Sequence, residues 1–114
     1  MAFSENELPL IEANLRKFCE SKNNPDFLDK LRFDFKIVDQ AIELFEVRPH
    51  WKEPGKIIET PVAKLRFFRS RGEWQLYWMR QDLKWHSYDP HPTNKGYIPL
   101  LNIVDQDKHG CFFG

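Results

Sequence analysis

Glu46 and Arg48 stand two residues apart in a stretch of alternating apolar and polar side chains, and His50 and Trp51 follow directly. Residues two apart on a strand leave the same face, so this carboxylate and guanidinium can form a bidentate pair. As a site, Glu46 could act as general base or metal ligand while Arg48 clamps an anionic substrate. The plainer expectation is a structural pair that fixes the strand end and the loop beyond it. Catalysis also needs convergent geometry, which spacing alone does not supply.

A second group is basic and aromatic. Lys64, Arg66, Arg69, Arg71, Arg80 and Lys84 are opposed in their segment only by Glu73 and Asp82. On a strand register Lys64, Arg66, Phe68 and Tyr77 share a face, with Lys84, His86 and Tyr88 as candidate neighbours. Nucleic-acid-binding sheets combine cations for phosphates with rings on which bases stack. The alternative is a solvated face on which Arg and Lys stems cover the rings. Seventeen basic and seventeen acidic side chains cancel over the chain, which counts against a polyanion partner.

Trp51 follows a polar loop start bracketed by prolines. Exposed Trp and Arg side chains anchor protein interfaces, so Arg48, His50 and Trp51 are candidates for docking on another protein. The other tryptophans, Trp74, Trp78 and Trp85, read as core, Trp78 foremost. His50, His86, His91 and His109 lack the close spacing of a zinc signature, and Cys19 and Cys111 stand alone. No metal is expected, although His86 and His91 flank a turn with Asp89. Nor does the chain carry a glycine-rich phosphate loop, a nucleophile elbow or a dinucleotide fingerprint, so no cofactor is expected.

These residues need a scaffold. The 114 residues have room for one core, 41% of them are apolar, and ten Phe, four Trp and three Tyr supply large packing units. A single domain over residues 1–114 is expected. The first residues show no targeting pattern, and no apolar run approaches the roughly 20 residues of a membrane helix. The cytoplasm is therefore the expected location, with both cysteines reduced.

Ile11, Leu15, Phe18 and Cys19 recur at helical spacing and predict a helix from Leu10 to Ser21, with a further short turn at Phe27 and Leu28. From Leu31 the period becomes two. Leu31, Phe33, Phe35 and Ile37 predict a strand that turns at Asp39 and Gln40 and returns over Ala41–Arg48. In that register Ile37 faces Ile42, Lys36 faces Glu43 and Phe33 faces Glu46. Pro49 to Pro61 reads as a loop. Val62–Arg69 and Trp74–Arg80 form a second hairpin around Ser70–Glu73, in which Phe67 faces Leu76 and Leu65 faces Trp78. A last strand is expected over Lys84–Tyr88, and a short helix from Tyr97 to about Asp105 with Pro99 in its first turn. Phe112 and Phe113 predict a packed tail.

Arg48–Pro49–His50–Trp51, Pro61–Val62–Ala63–Lys64–Leu65–Arg66–Phe67, Trp74–Gln75–Leu76–Tyr77–Trp78, Lys84–Trp85–His86–Ser87–Tyr88 and Gly110–Cys111–Phe112–Phe113–Gly114 carry a resemblance. Together they resemble a bacterial family of short proteins known as domain of unknown function 3024, over essentially the whole chain. The resemblance implies a single-domain bacterial protein and brings no catalytic assignment.

The expected fold is α+β: a four- or five-stranded antiparallel meander with the N-terminal and C-terminal helices packed on one face. The expected role is a non-catalytic accessory or regulatory module that binds another protein. The alternatives are a nucleic-acid-binding sheet surface or a small enzyme acting on an anionic substrate through Glu46 and Arg48. Across these readings the binding candidates are Arg48, His50, Trp51, Lys64, Arg66, Tyr77, Lys84 and His86.

Overall fold

Strand alternation and helical stripes resolve into one sheet with two helices on one side. The computed structural model describes residues 3–23, 25–27, 31–53, 55–108 and 110–112. The elements are α1 (Leu8–Lys22), β1 (Arg32–Val38), β2 (Ala41–Pro49), β3 (Ile57–Phe68), β4 (Glu73–Met79), β5 (Trp85–Ser87), β6 (Thr93–Asn94) and α2 (Tyr97–Gln106), with a 3-10 turn over Pro25–Phe27. Strands β1 to β5 lie side by side in chain order, and β6 pairs with β4 beyond the reach of β5. The sheet is thus the expected antiparallel meander.

Helix α1 begins earlier than its apolar stripe. The Ser4 N–H donates to Glu7 Oε1 at 2.9 Å and the Glu7 N–H donates to Ser4 Oγ at 3.2 Å. This reciprocal pair of bonds, with the Glu7 N–H also on Ser4 O, fixes the turn that leads into the helix. Pro9 sits in the first helical turn, where its missing N–H costs nothing. At the other end Asn23 turns extended and uses its side chain on the sheet. Its Nδ2 donates to the Phe33 carbonyl at 3.1 Å, and its Oδ1 accepts the Phe33 N–H at 2.7 Å. One amide side chain therefore stands in for a neighbouring strand on the open edge of β1.

The β1–β2 register is the expected one, with Ile37 opposite Ile42, Lys36 opposite Glu43 and Phe33 opposite Glu46. The turn has no glycine; Asp39 supplies the left-handed residue at φ 53°. The β3–β4 register departs from expectation by two residues. Strand β3 stops at Phe68, and the turn takes Arg69–Gly72, with Arg71 N–H on Phe68 O and Gly72 at φ 61°. Leu65 consequently lies opposite Leu76, Phe67 opposite Trp74 and Ala63 opposite Trp78. An even shift keeps every side chain on its face.

Trp74, rather than Trp78, is the core tryptophan. It is 5% exposed and meets Phe3, Phe67 and Tyr97 with ring centroids 5.5, 5.1 and 5.2 Å away. Ile11, Leu15 and Cys19 of α1 and Leu100, Leu101 and Val104 of α2 join Phe33, Ile42, Leu44, Leu65 and Leu76 in one hydrophobic cluster. Both helices therefore cover the same face of the sheet. Phe112 joins this core against Tyr88 at 5.0 Å, so the tail is packed there. Leu28, His109 and Phe113 lie outside the described residues. Among the described residues no helix is long and apolar enough to cross a membrane.

The expected loop from Pro49 to Pro61 is strand at both its ends, Pro49 in β2 and Ile57 to Pro61 in β3. β3 begins at Ile57 and pairs with Pro49, and Pro61 is accommodated where the β2–β3 register slips beside Leu44 and Phe45. Proline enters sheets at such irregularities because a ladder bond is already missing there. The consequence is a long hairpin. The β1 pairing ends at Val47 and the β4 pairing at Ala63. The outer part of β2 and β3 therefore projects past both neighbours as a two-stranded arm.

Candidate functional site

The arm carries the most exposed large apolar side chain among the described residues. Trp51 at its tip is 82% exposed, and Ile57 and Ile58 on its β3 side are 63% and 37% exposed. The tip has a definite shape. His50 Nδ1 accepts the backbone N–H groups of Lys52 at 3.1 Å and Glu53 at 3.0 Å, and the His50 N–H donates to Lys56 O at 2.8 Å. Lys56 is also paired with Glu53. The imidazole thus caps the turn and stacks against the indole at 5.9 Å, while Lys52 Nζ lies 5.7 Å from the indole centroid. A side chain of this size, held outward, leaves apolar surface in water at roughly 25 cal/mol per Å².

At the base of the arm Arg48 and Glu46 form the expected pair, Nη2 to Oε2 at 3.0 Å. The Glu46 side chain is 17% exposed and that of Arg48 55%, so the guanidinium reaches water while the carboxylate stays half-buried between β1 and β3. Neither residue lines the hollows beside Ala41, Tyr88, Trp78 or Phe45.

Lys64, Arg66 and Tyr77 share the face away from the helices: Lys64 pairs with Tyr77, and Arg66 with Gln75. Among the described residues only Ala41 and Val47 are buried there outside the core cluster, so neither helix covers it. His86 does not join them, and Lys84 precedes β5 in the turn, its N–H on Asp82 Oδ1 at 3.1 Å. His86 pairs with Trp78 on the helix side, and Trp85 and Ser87 take the places beside Met79 and Tyr77. His86 Nε2 instead bonds Asp82 Oδ2 at 2.8 Å, which holds the Asp82 carboxyl below its ordinary range. Tyr88 is buried. The rings of the open face already hold cations. Lys36 lies 5.5 Å from the Phe45 centroid, and Arg66 and Arg71 lie 5.0 and 4.2 Å from that of Phe68.

Burial pushes the Cys19 thiol up to about 12, which removes it as a nucleophile because only the thiolate reacts. His91 lies 3.3 Å from Asn94 Oδ1. The sequence pointed to Trp51 but missed Ile57 and Ile58, whose exposure depends on the arm reaching past β1 and β4.

A family model described as domain of unknown function (DUF3024) matches residues 3–114, and the chain belongs to that family. No curated protein and no solved structure matches the chain.

Proposed function

We propose that this DUF3024 protein is a non-catalytic module of the bacterial cytoplasm that docks on another protein through the tip of the β2–β3 arm. The observation that carries the reading is Trp51, 82% exposed on a turn that His50 holds with two hydrogen bonds. A pre-shaped tip loses little conformational freedom on binding, and an aromatic anchor entering an apolar cleft is the usual centre of an interface. Ile57 and Ile58 widen the apolar contact, and Arg48 adds a cation at its edge. Cys19 and Cys111, both thiols, suit a reducing compartment.

The open sheet face supports a nucleic-acid partner less well. Its cations Arg32, Lys36, Lys64, Arg66 and Arg71 are interspersed with the acids Asp34, Glu43, Glu59 and Glu73, and the rings of Phe45 and Phe68 lie under intramolecular cations. An enzymatic role for Glu46 and Arg48 would need a concave pocket around them.

The test compares proteins co-isolated with the wild-type chain and with Trp51→Ala by quantitative mass spectrometry, after confirming equal melting temperatures. The reading expects one or a few proteins to fall by about thirtyfold or more, the size of a truncated anchor worth about 2 kcal/mol. Equal recovery of every protein would overturn it.

A further inference from the structure

At the opposite end of β2 from the arm, the open sheet face contains a groove of about 290 Å³. Its floor is Ala41, which pairs with Val38 on β1 and with Arg66 on β3. The depression exists because Ala41 contributes only a methyl group between two longer side chains. Val38, 48% exposed, gives the groove one apolar wall. Arg66 and Lys64 form the wall on β3, while Glu43 and Asp39 stand toward its two ends.

The charges in this groove stand side by side without closing ion pairs. Among the described residues none of these two cations and two acids takes part in a salt bridge. Glu43 has Lys64 beside it on β3 and Lys36 on β1, but neither closes to ion-pair distance. The Arg66 guanidinium rests 5.0 Å from the Phe68 ring centroid, which holds it in place at the rim. Gln40, also in the lining, has a buried Oε1 without a hydrogen-bond partner among the described residues. Its amide can therefore turn toward a ligand without breaking a bond.

We propose that this groove binds a small zwitterion, a free α-amino acid with an apolar side chain. The carboxylate meets Arg66 and Lys64, the geometry in which a guanidinium gives paired hydrogen bonds. The ammonium is held by Glu43, and the side chain lies on Val38 above Ala41. Neither a simple anion nor a simple cation satisfies both signs of charge. The site is independent of Trp51 and of the docking reading.

The experiment is an NMR titration of the full-length protein with L-leucine, isocaproate and isopentylamine, which share the isobutyl side chain and carry both charges, the negative one or the positive one. L-Leucine is expected to move the Ala41, Arg66 and Glu43 signals saturably, with a dissociation constant on the order of 1 mM. Isocaproate and isopentylamine should move them at least about tenfold more weakly, as should L-leucine on Glu43→Gln or Arg66→Ala. Ala41→Leu should abolish the response with the spectrum still dispersed. Equal binding of isocaproate would overturn the proposal in favour of a plain anion site. No saturable shift with L-leucine, or a shift unchanged in Glu43→Gln and Arg66→Ala, would overturn it outright.

Discussion

The imidazole of His50 and the indole of Trp51 lie 5.9 Å apart and 16° from parallel, and the same imidazole accepts the N–H groups of Lys52 and Glu53. One histidine both closes the turn and steadies the ring that the turn presents. His50→Ala is therefore expected to weaken partner capture nearly as much as Trp51→Ala, while lowering stability by about 1 kcal/mol or less, because the bonds lost are exposed. Parallel thermal melts and co-isolation of the two variants check this.

Glu7 ties the start of α1 to the β3–β4 turn through Arg69, Oε1 to Nη2 at 2.7 Å. Hydrogen bonds from Arg69 first and from the Ser4 backbone next hold its carboxyl at about 2 instead of 4.5. A depressed carboxylate adds stability that is present above its unfolded value and lost as pH falls through the folded one. Stability should accordingly decline between pH 4.5 and about 2, and Glu7→Gln should flatten that part of the profile. The pair is exposed, so the effect shrinks in high salt. Denaturant melts across this range, at two salt concentrations, measure it.

Asn23 holds both backbone groups of Phe33 with one side chain. Asn23→Ala removes both of these bonds and should destabilise the fold by about 2 kcal/mol. Hydrogen exchange at the Phe33 amide should accelerate more than exchange at Leu44 in the middle of the sheet. Equal acceleration at both would mean that the edge contact is not local.

Glu46 and Arg48 make a single-contact pair whose guanidinium faces water. A double-mutant cycle with Glu46→Gln and Arg48→Met should give a coupling of about 1 kcal/mol or less. A much larger coupling would indicate a pair set in a drier environment than the end of the sheet provides.

The first hairpin was legible because two signals agreed: apolar alternation fixed the face, and Lys36 opposite Glu43 fixed the register. The second hairpin offered only the first signal. Sliding Leu65 from Trp78 to Leu76 leaves both residues on the same face, so the pattern could not choose between registers. That ambiguity also misplaced the core tryptophan. The phase of a three-residue strand is weakly specified, so the alternation groups His86 with Lys64, whereas Met79 opposite Trp85 puts it on the other face. Prolines made residues 49–61 look like a loop and concealed the arm, yet Trp51 stood out from its polar surroundings. The Ala41 groove gave no local signal, since it arises from side chains that three strands bring together.

The most direct test of the docking account is photo-crosslinking in the cell, with a photoreactive residue placed at Trp51 in one version of the full-length protein and at Ser70, in the distant β3–β4 turn, in another. The account predicts a discrete crosslinked species containing one other protein at position 51, and none of it at position 70. The same crosslinks from both positions, or none from position 51, would contradict it.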